Sequence, residues 1–269
     1  MQWKRYLKYG SIFWLAILII FPFLRPPIYV LSLMFFIFFY ITLVEAWNVV
    51  GGYAGYTSFG HTAFLGLSAY TVATFTKYFG ISPFLIVPLG GVFASLLAIL
   101  VGASCLKMRG PYFALATLCI PPALQIVFLN LEQTGAATGI WLPLLPFGIF
   151  EERALFYEMM LAITVIALIT VKRLEESKFG LGLMSIRQDE NVAESLGVNT
   201  TILKIKAFVL SAFITGVVGG DLCDLYNIHS SIHGFRYIYV HIYSGIGNTW
   251  RQGDLDWPSD RHSDPCGNK

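Results

Sequence analysis

The chain has 269 residues, of which 56% are hydrophobic and 13% are charged, and its formal net charge is +2. Soluble domains usually have about a quarter of their residues charged, so this composition excludes an ordinary soluble protein and predicts an integral membrane protein. The near-neutral balance and the lack of a long basic run give no reason to expect nucleic acid as a partner.

Seven apolar stretches predict seven membrane-spanning helices, because about 20 apolar residues in a helix cross a bilayer core of about 30 Å. The predicted spans are 11–24, 28–47, 61–79, 84–106, 111–131, 154–171 and 207–222. The first span ends at Pro26 and Pro27, which cannot continue a helix. No small-residue cleavage site follows it, so we expect a retained span and not a removed signal peptide.

The segment between the second and third predicted spans is rich in glycine and small polar residues, with the sequence NVVGGYAGYTSFGHTAFLGLSAY at 48–70. Small residues let helix backbones approach closely, and broken helices at membrane depth form the binding sites of many transporters. Two interpretations therefore stay open for this segment: a translocation pathway or tight helix packing. The candidate residues for either are Asn48, Gly52, Gly55, Ser58, Gly60 and His61.

A strongly charged segment, residues 172–206, lies between the last two predicted spans, and we call it the polar loop. Its six basic and five acidic residues contrast with residues 9–106, which hold only Arg25, Glu45 and Lys77. A mostly apolar body therefore presents one long polar segment to water.

Capping signals inside the polar loop predict a short helix, a glycine turn and a second helix. Asp189 or Asn191 is suited to cap a helix that reaches Leu196, and Gly197 is suited to end that helix in the left-handed conformation. The chain then re-enters a helix at Ile202. Apolar side chains on a short exposed helix predict a partner surface; a loop folded onto the bundle itself is the alternative.

Basic residues are distributed unevenly between the two sides that seven spans define. The N-terminus, the loop 107–110 and the polar loop together hold eleven Lys and Arg, whereas the other side holds Arg25, Lys77 and Arg153. The positive-inside rule then predicts a cytoplasmic N-terminus and a cytoplasmic polar loop.

No constellation in the chain is suited to catalysis or to cofactor binding. Neither a G-x-S-x-G motif nor an H-E-x-x-H motif occurs. A G-x-x-x-x-G-K-[ST] phosphate loop is also missing, so we expect no ATP hydrolysis by this chain. His229, His233 and His241 have helical spacing, but no carboxylate or thiol completes a metal site, so we predict no bound metal.

Four stretches, in order along the chain, resemble one family of transport proteins. The run AESLGVNTTILKIKAFVLSAF at 193–213 resembles the loop by which the permeases of ABC importers couple to their ATPases. The other three are residues 48–70 quoted above, LKMRGPYFALATL at 106–118 and SKFGLGLMSIRQDENVA at 177–193. Together they resemble the permease subunits of the high-affinity branched-chain amino acid importers, and RGPYFALATL resembles the second of the two paired permeases.

The resemblance implies an all-α, polytopic membrane protein with about seven spans and a cytoplasmic coupling loop at 172–206. It implies a permease of the bacterial inner membrane that moves amino acids delivered by a periplasmic binding protein. A second permease subunit and two cytoplasmic ATPase subunits would complete the importer, and only the ATPases would use ATP. The residues that the resemblance assigns to ATPase coupling are Arg187, Ala193, Glu194, Ser195 and Gly197.

Two positions depart from the family pattern: Ser195 stands where a small Ala or an acidic residue is usual, and Leu181 stands where Arg is common. The docking interpretation survives both changes. The cargo is left open, because permeases for urea and short amides are closely related to this family. A self-sufficient channel or secondary carrier is a further alternative, but it would need ionisable residues at mid-span, which are scarce here.

The predicted organisation is a transmembrane permease domain at 1–222 followed by an atypical polar tail at 223–269. The family continues with further spans, and residues 244–249 resemble the start of its Gly-Gly-x-Gly segment. From Trp250 onward the chain is polar, and nothing in it can cross a bilayer. We therefore expect a truncated or out-of-frame end; an ordinary extracellular tail is the alternative.

Overall fold

The computed structural model describes residues 13–106, 108, 110–131, 134, 140 and 148–226, with side chains described as far as Leu222. Every regular element in this part of the chain is helical, which confirms the all-α prediction. The predicted polar tail beyond Tyr226, with its three histidines, lies outside the described residues, as do the basic residues of the N-terminus and of the loop 107–110.

Ten helices follow one another along the described residues. They are α1 (Phe13–Leu24), α2 (Ile28–Asn48), α3 (His61–Phe79), α4 (Pro83–Cys105), α5 (Pro111–Leu118), α6 (Ile120–Asn130), α7 (Ile149–Glu175), α8 (Lys178–Gln188), α9 (Glu190–Ser195) and α10 (Thr200–Tyr226). The last turn of α1 is a 3-10 turn, and a π-helical turn, Val49–Tyr53, continues α2. Pro27, Pro83 and Pro111 mark the starts of three helices, where a missing N–H costs nothing.

Five helices in the described part are long and apolar enough to cross a membrane, which makes the chain a multi-pass membrane protein. They are Ile28–Tyr53, Pro83–Cys105, Pro111–Asn130, Ile149–Glu175 and Thr200–Leu222. The prediction of seven spans additionally needs α1 and α3. Only the apolar stretch Phe13–Leu24 of α1 is described, and α3 has 19 residues, about 28 Å of helix. The count of seven stays a prediction.

The modest hydropathy of α3 has a structural cause. Most of its residues are buried among other helices, including the polar side chains of His61, Thr62, Ser68 and Thr76. A helix that contacts protein on most sides needs small and polar residues for packing, and it needs few lipid-facing apolar ones.

The predicted span 111–131 is not one continuous helix. It is broken between α5 and α6 at Cys119, two residues before Pro121 and Pro122 begin. Two consecutive prolines remove two backbone donors, and their rings crowd the preceding turn, so the helix cannot run through unbroken. The Cys119 N–H bonds tightly back to Ala116 and Thr117, and the two short helices together still have the length of one span.

Two different seams hold the bundle together. In the first, which we call the glycine seam, α10 lies against α4 and α3 through Gly216, Gly219 and Gly220. A Cβ added at Gly216 would lie 2.9 Å from the Cα of Gly91, and one at Gly219 would overlap the carbonyl oxygen of Leu65. The backbones of these helices are therefore nearly in contact.

In the second, which we call the aromatic seam, α2 and α7 pack through large side chains. Phe35, Phe156 and Tyr157 are fully buried, and the rings of Phe38 and Tyr157 have centroids 5.7 Å apart. Beside these large side chains, the hydroxyls of Thr42 and Thr164 form a polar contact at 2.9 Å. The aromatic seam is thus filled by large side chains, whereas at the glycine seam the lack of side chains lets the helix backbones meet.

Candidate functional site

The first helix of the polar loop, α8, is fixed tightly to the end of α7. Ser177 caps it by accepting a hydrogen bond from the Gly180 N–H at 3.1 Å. Gly180, Leu183 and Ile186 form its buried face. Any side chain at Gly180 would overlap the carbonyl of Leu174, so only glycine lets the chain turn this closely.

The predicted sequence of helix, glycine turn and helix is confirmed in α9 and α10. Asp189, and not Asn191, is the cap: its Oδ1 accepts from the N–H of Asn191 at 2.8 Å and of Val192 at 3.2 Å. Gly197 has φ +84°. Its N–H donates to Glu194 O at 2.9 Å, and the Val198 N–H donates to Ala193 O at 3.0 Å, a pair of bonds that defines a Schellman motif.

The exposed surface of α9 is more apolar than a solvated helix requires. Val192 is 55% exposed and Leu196 is 77% exposed, and on α8 Leu181 is 62% exposed. Glu194, Ser195 and Gly197, which were predicted for ATPase coupling, are exposed on the same element. These residues are brought together on one short helix and its turn.

Two other residues predicted for coupling have different surroundings. Ala193 is 1% exposed and packs into the apolar cluster beneath α9, so it supports this helix from within and presents nothing outward. Arg187 has an exposed side chain, but its Nη1 donates to the carbonyl of Gly52 at 2.6 Å. Arg187 therefore ties α8 to the segment that follows α2.

A largely buried ion pair joins Glu190 of α9 to Lys204 of α10. We call this pair, together with the Tyr56 hydroxyl and the Leu106 carbonyl, the polar node. Lys204 Nζ donates to Glu190 Oε1 at 2.6 Å, to Tyr56 Oη at 3.3 Å and to the carbonyl of Leu106 at 3.4 Å. The Tyr56 hydroxyl donates to Glu190 Oε2 at 2.6 Å. The Lys204 side chain is 5% exposed and that of Glu190 is 14% exposed, so both charges are largely removed from water.

A cavity of about 230 Å³ adjoins the polar node. Gly102 and Ala103 of α4 line it on one side, and Glu194 of α9 and Thr201 and Ile205 of α10 line it on the other. Glu194 Oε1 accepts from the Thr200 hydroxyl at 2.6 Å at its edge. Open space thus separates much of α9 from the end of α4.

The candidate residues of the glycine-rich segment are mostly enclosed. Ser58 and His61 are 1% and 4% exposed, Gly60 is buried, and Asn48 and Gly52 are half-buried. Gly55 is exposed with φ +76°, and a Cβ there would lie 3.0 Å from the Arg187 side chain. The conformation therefore has the close contacts that tight packing requires.

A set of hydrogen bonds fixes this segment to the helices around it. Trp47 Nε1 donates to Ser58 O at 3.1 Å, and the Phe59 N–H donates to the Thr117 hydroxyl at 3.1 Å. His61 Nε2 lies 2.7 Å from Ser211 Oγ, which donates to the Ala46 carbonyl at 2.5 Å. Because the Ser211 hydroxyl has one hydrogen, His61 Nε2 must be the donor in that pair. α10 is thereby joined to the end of α2 and the start of α3.

Sequence reasoning missed Tyr56, Glu190, Lys204 and Ser211. Lys204 carried a usable signal, because the apolar residues Ala207 and Phe208 of the predicted span follow it at helical spacings of three and four. A lysine on the buried stripe of a helix that enters a membrane predicts an acidic partner. No described group of three or more His, Cys, Asp or Glu residues has the arrangement of a metal site.

Comparison with known proteins gives a consistent result. The family model described as "Branched-chain amino acid transport system / permease component" matches residues 13–248. The chain is 30% identical over 207 residues to the high-affinity branched-chain amino acid transport system permease proteins LivM of Salmonella typhimurium and of Escherichia coli, covering 67% of this chain and 49% of each relative.

A third relative is archaeal. The probable branched-chain amino acid transport permease protein LivM of Methanocaldococcus jannaschii is 30% identical over 151 residues, which cover 54% of this chain and 44% of the relative. The chain thus spans about half the length of the curated relatives it matches. No solved structure gives a significant match.

Proposed function

Because the chain belongs to the branched-chain amino acid transport permease family, we propose that it is the membrane-spanning permease subunit of an ATP-driven importer for branched-chain amino acids. The family consists of transport permeases and not of enzymes, as the sequence predicts. A second permease subunit, two cytoplasmic ATPases and a periplasmic binding protein complete the proposed assembly. ATP is hydrolysed by the ATPases, and the binding protein delivers the substrate.

The exposed apolar tip of α9 is the observation that carries this proposal. Val192 and Leu196 are held outward by a helix that is capped at both ends, so their exposure is built into the fold. Exposed apolar side chains on an ordered element mark a docking surface. In the proposed importer that surface inserts into a groove of the ATPase, and its displacement on ATP binding switches the side of the membrane to which the bundle opens.

Co-purification tests the docking surface directly. We expect the double variant Val192→Ser and Leu196→Ser to lose at least about tenfold of ATPase association, since a few buried apolar anchors dominate such interfaces. Phe79→Ser is the matched control, because Phe79 is 67% exposed at the end of α3 that the proposed topology places on the other side of the membrane. Undiminished association of the double variant, at equal membrane levels, would contradict the proposed role of α9.

Uptake assays identify the transported substrate. In vesicles that contain the complete importer, leucine uptake should depend on ATP and on the binding protein. Uptake of urea in place of leucine would point to the related permeases for short amides, and uptake without ATPases would point to a self-sufficient carrier.

The proposed orientation places the N-terminus and the polar loop in the cytoplasm of a bacterium, with the chain in the inner membrane. It rests on seven crossings and on the excess of Lys and Arg on that side. In a background without native cysteines, a membrane-impermeant thiol reagent applied from outside should label Ser82→Cys, between α3 and α4, and spare Ser195→Cys. Both positions are exposed. Labelling of Ser195→Cys from outside would contradict the orientation.

A further inference from the structure

We propose that Lys204 and Glu190 are positioning residues for energy coupling, which transmit the displacement of α9 to the glycine-rich segment and to α4 and α10. The proposal rests on the function proposed above and adds to it the residues through which a docked ATPase would move the bundle. It comes from the connections of the polar node and from the open space beside it.

The polar node joins four separate parts of the chain at one ammonium group. A lysine has three donors and no acceptor, and Lys204 directs them at Glu190 of α9, Tyr56 of the glycine-rich segment and Leu106 at the end of α4. Lys204 itself belongs to α10. Both side chains are largely buried, although both also line the cavity, so separating the pair would leave two charges with few partners, and this opposes the separation of α9 from α10.

Apart from the polar node, α9 is held by the buried side chain of Ala193 and by the bond from the Thr200 hydroxyl to Glu194. The helix has six residues, and it packs chiefly on α8. On the side of α4 it faces the cavity lined by Gly102 and Ala103. A push on Leu196 could then be absorbed by movement of α9 into the cavity, whereas the bond from Glu190 to Lys204 passes that push to α10.

The glycine-rich segment receives the movement at two points. Tyr56 is held by Glu190, and the Gly52 carbonyl is held by Arg187 of α8. From there the bonds of Ser58 and His61 lead to Trp47 and Ser211, on α2 and α10. The polar loop is therefore attached to this segment at two points. Movement of either attachment would act on the ends of α2 and α3 and on α10.

The test compares Lys204→Met with Lys206→Met in membrane vesicles that contain the complete importer. Methionine keeps much of the apolar stem of lysine and removes its charge, and Lys206, on the same helix, is exposed. For Lys204→Met we expect normal ATPase co-purification but an about tenfold lower amount of substrate moved per ATP hydrolysed, within the range of measured coupling energies. Lys206→Met should keep the wild-type ratio.

Exchange of the two charges distinguishes transmission from mere stability. The double variant Glu190→Lys and Lys204→Glu restores an ion pair, and it should recover most of the transport-to-hydrolysis ratio that each single change loses. If Lys204→Met does not accumulate, Glu190→Gln replaces it, and Glu176→Gln, an exposed position of the same loop, is its control.

The outcomes distinguish failure of the proposed function from failure of this inference alone. Absence of ATPases from the purified wild-type chain would overturn the proposed function and this inference with it. Normal ATPase co-purification with an unchanged ratio in Lys204→Met or Glu190→Gln would overturn the inference alone, as would an exchange variant that accumulates normally but stays uncoupled.

Discussion

The glycine seam and the aromatic seam solve the same packing problem in opposite ways. Along the glycine seam, α10 lies against the backbones of α3 and α4, and no side chain of any size fits at Gly216 or Gly219. Along the aromatic seam, Phe35, Phe156 and Tyr157 fill the space between α2 and α7. Apolar burial gives little net drive between helices in lipid, so both seams depend on close van der Waals contact.

The difference between the seams concerns how each responds to change. Flexible or rotating side chains can redistribute around an altered volume, whereas two backbones in contact have nothing to rearrange. The glycine seam holds α10, whose first residues, including Lys204, belong to the polar loop. The glycine seam thus holds α10 firmly to α3 and α4, as the coupling proposal requires if these helices are to move together.

The largest effect is expected from Gly219→Val. Its Cβ would overlap the backbone of Leu65, so we predict that α10 and α3 cannot pack and that folded protein does not accumulate in membranes. Gly148→Val is the control, because Gly148 caps α7 with extended backbone and has no heavy atom within 3.4 Å of an added Cβ. Membrane levels and detergent melting temperatures measure both. Equal membrane levels for the two variants would contradict this prediction, because they would mean that α10 and α3 can move apart to accept a side chain.

A smaller effect is expected from Phe156→Ala in the aromatic seam. Phe156 is 0% exposed, and its loss should lower the free energy of unfolding by about 3 kcal/mol through the cavity left behind. The protein should nevertheless fold, unlike Gly219→Val. Phe79→Ala, at a 67% exposed position, should change the melting temperature little. A Phe156→Ala chain that fails to accumulate would erase the distinction between the seams.

The smallest effect is expected from Thr42→Val, which removes the polar contact of the aromatic seam. Each hydroxyl has one hydrogen, and each can donate it within its own helix instead, Thr42 to Phe38 O at 2.8 Å and Thr164 to Met160 O at 2.7 Å. The bond between the helices should therefore contribute no more than about 0.6 kcal/mol, the average measured for such pairs in membranes. A loss above 2 kcal/mol relative to Thr170→Val, where the threonine bonds only within its helix, would contradict this.

The sequence predicted well those elements that local rules determine. α2 and α4 are long apolar runs that start after Pro27 and at Pro83, and the predicted bounds 28–47 and 84–106 lie within a residue of those observed. Side-chain chemistry predicted the turn at Gly197 and limited the cap to Asp189 or Asn191, of which the structure shows Asp189. For the same reason the helical organisation of the polar loop was predictable from its own residues.

Other features depend on partners distant in the chain and were not predictable in this way. Nothing local to Tyr56 indicates that it meets Glu190, 134 positions later. Ala193 was assigned to coupling because it belongs to a recognisable motif, but only the fold shows that its side chain packs inward. The choice between pathway and packing for the segment that contains Ser58 and His61 likewise depends on Thr117 of α5, which meets Phe59, and on Ser211 of α10, which meets His61.

The modest hydropathy of α3 bears on how the chain enters the membrane during synthesis. Helices leave the ribosome in chain order, and α3 appears long before α10, with which it shares the glycine seam. Until α10 arrives, the buried hydroxyls of Thr62, Ser68 and Thr76 lack the enclosure that the finished bundle gives them. α3 also contacts α4, so we expect α4 to hold α3 in the membrane until α10 has been inserted.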